Sequence, residues 1–337
     1  MQNFTLHHLR VETVVEAPVL LNEHKGSAIR GALFHALRGP AYPAGDGYTG
    51  FCVNKAAPTC YDCPLHHVCP VSMLVATLDE TAQRGRNVPR PYIIRPPRDN
   101  GRQLYQAGEP FTFDLALCAD ALQLFPYVVL ALERLAHEGL GKRGPETGYQ
   151  RGRLRIRRMS AIHPLTGETQ EIRPAGQRTV HIPNLPATHA DVLEVASRFP
   201  AQGALTLNFY TPTRLIHGGG LLKQPQFSPL FHRLLTRLEQ LSHQFSNTPL
   251  QLEQPPLLAL ADQVQLLDNQ TRWVELESYS TRQRRSTQIG GLVGTATYRA
   301  VDWQPFAPWL VWGSLLGVGK NTVKGDGWYV INALASW

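Results

Sequence analysis

Apolar residues recur along this chain with strand and helix periods, and the same order of elements occurs twice. Residues 4–15 form a strand-like stretch, and in residues 27–38 Ile29, Leu33, Ala36 and Leu37 share one face of a helix with Ser27 as its candidate N-cap. Phe111, Phe113, Leu115 and Leu117 then alternate with Thr112, Asp114, Ala116 and Cys118, which predicts a half-buried strand. Residues 125–142 make an apolar helical run closing on Gly139, Gly141 and Lys142, and a strand follows over 153–159. In the second half, 205–216 leads through Gly218, Gly219 and Gly220 to a helix at about 228–242, and strand-like segments cover 273–279 and 295–299. Residues 306–320 repeat the helix-then-glycine theme through Gly317, Gly319 and Lys320, before a last strand at 327–331.

Strand, helix, strand, strand, helix, strand in each half predicts an α+β protein of two tandem ferredoxin-like (RRM-like) domains, 1–195 and 196–337. Pro164, Pro174, Pro183 and Pro186 mark the stretch that holds the boundary. The first domain carries a cysteine-rich insertion at about 40–80, and the second a glycine-rich loop at 313–327, GSLLGVGKNTVKGDG. That loop is not a nucleotide P-loop, because Ser314 stands where the first glycine is required and Asn321 where Ser or Thr must follow the lysine. A dinucleotide fingerprint fails too, since Thr322 occupies the third glycine position. Glycines that admit a close backbone, with Lys320 and Lys324 beside them, point to a polymeric anion.

The charge supports that direction. There are 33 Lys and Arg against 26 Asp and Glu, a formal +7, and 337 residues suffice for two domains with cores of their own. Lys142, Arg143, Arg151, Arg153, Arg155, Arg157 and Arg158 crowd into 142–158 against Glu146 alone. Arg153, Arg155 and Arg157 alternate with Leu154 and Ile156, so their guanidinium groups are expected on one strand face, where they repel one another unless an anion lies across them. Arg282, Arg284 and Arg285 form a second group between strand-like segments. The N-terminus has no signal-peptide pattern and no apolar run is long enough to span a bilayer, so a cytoplasmic location without a membrane partner is expected.

Cys52, Cys60, Cys63 and Cys69 have seven, two and five residues between them. The Cys60–Cys63 step suits a structural zinc knot, four thiolates leaving no open position for a catalytic water; free thiols, or a site in which His66 or His67 replaces a cysteine, are the alternatives. His35, on the helix side opposite the apolar face and one turn after Gly31, is a candidate general acid or base. His24 and Lys25 stand just before the helix, and His217 closes a strand before the triple glycine. No carboxylate cluster suited to two-metal chemistry is visible.

Several segments together carry a resemblance: KGSAIRGALFHALRG with CPLHHVCP, VPRPYIIRPP, GLGKRG, YTPTRLI, YSTRQRRSTQIGGLVGTATY and the terminal GSLLGVGKNTVKGDGWYVI. The chain resembles the CRISPR-associated endoribonucleases of the RAMP superfamily that cut precursor CRISPR RNA within its repeats. The resemblance implies tandem ferredoxin-like domains and metal-independent cleavage by the upstream 2′-hydroxyl, leaving a cyclic phosphate and a 5′-hydroxyl. It places His35 at the family's catalytic histidine, with His24 and Lys25 as helpers and Tyr48 as a nearby tyrosine. Arg143, Arg153, Arg155, Arg157, Arg282, Arg284, Arg285, Lys320 and Lys324 are then the expected RNA contacts, and other effector-complex subunits the expected protein partners. The alternative is a non-catalytic RNA-binding subunit of such a complex, which would keep the basic surfaces and lack the acid-base chemistry.

Overall fold

A computed structural model describes residues 1, 3–40, 47, 49–77, 88–99, 101–280 and 285–332. The chain divides into two compact units. One comprises Leu6–Ile162 and Thr169–Pro186; the other comprises Met1–Thr5, His163–Glu168 and Ala187–Trp337. Residues 187–195, which the sequence assigns to the first domain, therefore pack with the second.

In the N-terminal unit the elements are β1 (Leu6–Val15), β2 (Val19–Leu20), α1 (Lys25–Arg38), α2 (Pro70–Val75), β3 (Tyr92–Arg95), β4 (Leu104–Tyr105), β5 (Pro110–Cys118), α3 (Phe125–Glu138), β6 (Leu154–Ile162) and β7 (Thr169–Arg173). The main sheet runs β3-β5-β1-β6-β7 with every pair antiparallel, while β2 and β4 form a separate short ladder. Leaving out β7, the four strands take the spatial order second, third, first, fourth. Alternation sends Leu9, Val11 and Val15 of β1 into the core with Phe111, Phe113, Leu115 and Leu117 of β5, all buried. Ile29, Leu33 and Leu37 of α1 and Val128, Leu132 and Leu135 of α3 are buried likewise, and the two helices pack together.

The C-terminal unit contains α4 (His189–Ala196), β8 (Gly203–Thr213), β9 (Ile216–His217), β10 (Gly220–Leu221), α5 (Phe227–Phe245), α6 (Gln254–Ala261), β11 (Gln265–Val274), β12 (Glu277–Ser280), β13 (Arg285–Gln288), β14 (Gly291–Ala300), α7 (Ala307–Leu316) and β15 (Tyr329–Ile331). Its four-stranded sheet, β11-β14-β8-β15, repeats the order second, third, first, fourth, again antiparallel throughout. The second strand starts eight residues before the 273 expected from the sequence. Residues 267–270 of β11 are all exposed, as suits an edge strand, and so lack the alternation that announces a half-buried one.

The two helix-glycine-lysine elements prove equivalent bond by bond. After α3, the Leu140 amide donates to the Gly152 carbonyl (2.7 Å) and the Lys142 amide to the Leu20 carbonyl (2.8 Å). After α7, the Val318 amide donates to the Gly327 carbonyl (2.9 Å) and the Lys320 amide to the Arg214 carbonyl (3.0 Å). Gly141 (φ 94°) and Gly319 (φ 88°) are the crossing points: a Cβ on either would strike the carbonyl oxygen of Leu20 or Arg214. The glycines thus serve close backbone packing inside each unit.

Candidate functional site

His35 lies in the last turn of α1, exposed to solvent, on the helix side away from Ile29, Leu33 and Leu37. A side chain added at Gly31, one turn earlier, would meet nothing within 4 Å, so the helix surface leading to His35 is open. Partial shielding of the imidazole draws its pKa below the ordinary histidine value; Arg151 pulls the same way, Glu138 opposes, and Arg38 and Arg30 add to the lowering. Glu138, the last residue of α3, accepts a 2.6 Å hydrogen bond from Arg134. At neutral pH His35 is therefore an accessible, largely uncharged imidazole in cationic surroundings, the form that accepts a proton.

The loop after α3 supplies Arg151, and α1 itself supplies Arg30 and Arg38. A Cβ on Gly139 (φ 95°) would come within 2.9 Å of the Arg151 Cβ and 2.8 Å of the Gly152 carbonyl oxygen, which locks both ends of the 139–152 loop together. Lys142, Arg143, Arg151 and Arg153 are all exposed on this loop and its exit. Geometry thus joins His35 to Arg151 at one end of the N-terminal unit.

His24 and Lys25 belong elsewhere. The helix begins at Lys25 with His24 at its N-cap position, and Ser27 does not cap it: the Ser27 hydroxyl lies 2.9 Å from His24 Nδ1. Lys25 is ten residues, about 15 Å of helix, from His35. It is 3% exposed, and its ammonium group meets Asp99 at 2.6 Å; Tyr105 also donates to Asp99. Lys25 therefore holds the β2–β4 corner, at the other end of α1 from His35. His217, in β9, faces the ring of His232 at 5.8 Å.

The arginine row departs from its expected form. β6 pairs with β1 through Ile156 and then Arg158, so Arg157 is an extra residue in a bulge, and both Arg157 and Arg158 are exposed. Arg155 meets Glu16 at 2.9 Å and Arg158 meets Glu12 at 2.8 Å. The expectation that this strand has few acidic neighbours is corrected: Glu12 of β1 and Glu16, one residue past its end, provide them. Such exposed pairs are weakened by solvent and yield readily to a phosphate.

Lys320 is exposed and Lys324 half-buried beside the glycine loop of the C-terminal unit. Arg282 and Arg284, with Tyr48, lie outside the described residues, and Arg285 is placed only by its backbone, paired with Ser280. Cys52, Cys60, Cys63 and Cys69 are half-buried and none is in a disulfide, and Cys63 Sγ accepts from Asn54 at 3.7 Å. Among the described residues no three His, Cys, Asp or Glu side chains are gathered as a metal cage. The zinc knot expected from the spacing is not shown by this arrangement.

Residues 4–185 match the family model AF_1859_N, an N-terminal domain, and residues 207–329 match that of the CRISPR-associated endoribonuclease Cas6. The first match spans more than half of the chain, which therefore belongs to that family, and the second makes residues 207–329 a Cas6-type domain, in keeping with a CRISPR-associated endoribonuclease that processes precursor CRISPR RNA. Among curated proteins none matches the sequence at a significant level. Solved structures share the fold at low identity. A Cas6 product complex is 16% identical with a TM-score of 0.54, covering 97% of this chain and 99% of that one. A Thermus thermophilus Cas6 is 15% identical at 0.53, covering 97% and 98%. A chain of a partial Cas6-RT-Cas1–Cas2 complex is 12% identical at 0.56, covering 97% of this chain and 46% of that one.

Proposed function

We propose that this protein binds a CRISPR repeat RNA and cuts one phosphodiester without a catalytic metal, His35 moving the proton. The 2′-hydroxyl upstream of the cut loses its proton to the neutral imidazole and its oxygen bonds to phosphorus. The phosphorus–O5′ bond breaks, and the leaving oxygen takes up a proton to become a 5′-hydroxyl, leaving a 2′,3′-cyclic phosphate. Arg151 and Arg38, which act on His35 electrostatically, are the cations proposed to stabilise the extra phosphorane charge. The observation that carries this reading is the exposed, pKa-lowered His35 among the arginines at the α1 and α3 ends. Both units are read as ferredoxin-like modules on the strength of their shared strand order, and the match of residues 207–329 to the Cas6 endoribonuclease model supports RNA as the ligand.

Incubation with repeat RNA in EDTA tests the reading. Cleavage to a cyclic phosphate is expected, and a 2′-deoxy nucleotide upstream of the cut should abolish cleavage while sparing binding. Cutting that persists on the deoxy substrate, or that requires added metal, overturns the mechanism. Binding without any cut would favour the non-catalytic subunit. The Cys52, Cys60, Cys63 and Cys69 zinc knot is proposed on spacing alone; purified protein containing less than one zinc per chain, with all four thiols reactive, would dismiss it.

A further inference from the structure

Tyr149 is exposed to 70% of its surface, in the loop that carries Arg151 toward His35. Its backbone is left-handed, φ 60°, one of few such non-glycine residues among those described, and it follows Gly148 at φ 57°. A bulky residue in that region costs roughly 1–2 kcal/mol, so the fold holds the tyrosine there against its preference. The loop is built to do so. The Tyr149 amide donates to the Gly144 carbonyl (2.8 Å), Thr147 to Gly144 (3.1 Å), Gly148 to Pro145 (3.1 Å) and Gln150 to Thr147 (3.2 Å), while the Gly144 amide donates to the Thr147 hydroxyl (3.1 Å). A stiff turn therefore presents an apolar ring to water with Lys142, Arg143, Arg151 and Arg153 exposed on either side in sequence and Glu146 as the lone acid.

An exposed aromatic ring on a rigid support, flanked by cations, is the arrangement that stacks an unpaired nucleobase while the cations hold its backbone phosphates. We propose that Tyr149 is a stacking platform for an unpaired base of the RNA next to the phosphate served by His35, and so a positioning residue for cleavage. A protein-docking role would not need the flanking cations, and a purely structural one would not leave the ring in water. The proposal rests on the function proposed above and deepens it.

The test uses full-length protein and repeat RNA with a 2′-deoxy nucleotide upstream of the cut, so that binding is read without cleavage. Tyr149→Phe should bind and, on cleavable RNA, cut as the wild type does. Tyr149→Ala and Tyr149→Gly should each weaken binding about tenfold and slow single-turnover cleavage, with thermal unfolding no lower than wild type in the Gly variant, which relieves the backbone. A 2-aminopurine scan of the bases around the cut should find one whose fluorescence is quenched by the wild type and by Tyr149→Phe, and released by Tyr149→Gly. Wild-type affinity in both Ala and Gly variants, a loss in Phe equal to that in Ala, or no ring-dependent quench at any base overturns the platform while leaving the nuclease reading intact. Failure of the wild type to bind repeat RNA removes both.

Discussion

Lys25 and His35 stand at opposite ends of α1, about 15 Å apart along its axis, the lysine buried against Asp99 and the histidine open to solvent. Their sequence neighbourhood suggests a shared catalytic role, and the helix separates them. Replacing each should therefore fail in a different way. His35→Ala should lower the single-turnover cleavage rate by about 10²–10⁴-fold with no change in the denaturant midpoint. Lys25→Ala leaves Asp99 in a partly buried site without its cation and should cost about 3 kcal/mol of stability, read from urea unfolding. Its cleavage rate, measured where the fold is intact, should stay within about tenfold of wild type. A rate loss in Lys25→Ala equal to that in His35→Ala would place the lysine back in the reaction.

The pH dependence of cleavage follows from the lowered pKa of His35. If the neutral imidazole is the base, the single-turnover rate rises through a pKa below the ordinary 6.5 and is flat across neutral pH. Arg151→Ala removes the largest charge acting against protonation and should move that inflection upward. A profile identical in wild type and Arg151→Ala would show that the titrating group lies elsewhere.

Stability has its own acid limit, set by other histidines. Burial draws His7 down to about 4, and burial lowers His8 as well, outweighing its 3.0 Å contact with Asp114. In the unfolded chain both protonate near 6.5, so between there and 4 the unfolded state binds more protons and stability falls as the pH falls. For His7 the loss approaches roughly 3 kcal/mol once the pH reaches its folded value, and above 6.5 it vanishes. Urea midpoints measured from about pH 7.5 to about 4.5 should show this slope, and His7→Leu should flatten it. An unchanged slope in His7→Leu would assign the acid sensitivity to another group.

These sites also show what the sequence could and could not reveal. The duplicated helix-glycine-lysine element was legible because its glycines are demanded locally, by positive φ and by the carbonyls of Leu20 and Arg214. The helix bearing His35 was legible from its apolar face. Partners distant in the chain were not: Asp99 comes to Lys25 at the β2–β4 corner, and Glu12 and Glu16 come to Arg158 and Arg155 only when β1 and β6 pair. Tyr149 carried no periodic signal at all, since its importance lies in a backbone angle and in exposure.

The ion pairs of β6 give a graded prediction for RNA binding. Arg157, exposed in the bulge, is available to a phosphate, whereas Arg155 must first leave Glu16. Removing one cation that neutralises a phosphate of single-stranded RNA should reduce the slope of log K against log salt by about 0.7. Arg157→Ala should show that full reduction, and Arg155→Ala less. Glu16→Gln, which frees Arg155 without adding charge to the RNA, should instead tighten binding and steepen the slope. If Glu16→Gln binds no more tightly than wild type, the Arg155–Glu16 pair is structural and RNA does not reach this face.

The glycine crossings provide the last expectation. Gly141→Ala and Gly319→Ala each place a methyl group against a carbonyl oxygen, of Leu20 and Arg214, at a left-handed backbone position. The conformational cost alone is about 1–2 kcal/mol, and the collision adds to it because the blocking atom is backbone held by the Lys142 or Lys320 amide bond. Unfolding of each variant should show a loss of at least that size. Because the two elements are equivalent, the losses should be similar, and each should be confined to the unit carrying the change: hydrogen exchange should quicken at the Lys142 amide in Gly141→Ala and at the Lys320 amide in Gly319→Ala. Lysine substitutions make the contrast. Lys320→Ala removes a side chain exposed to solvent but leaves its amide bond in place, so it should weaken RNA binding without lowering stability. A stability loss in Lys320→Ala comparable to that in Gly319→Ala would mean that the lysine side chain, and not the glycine crossing, holds the element together.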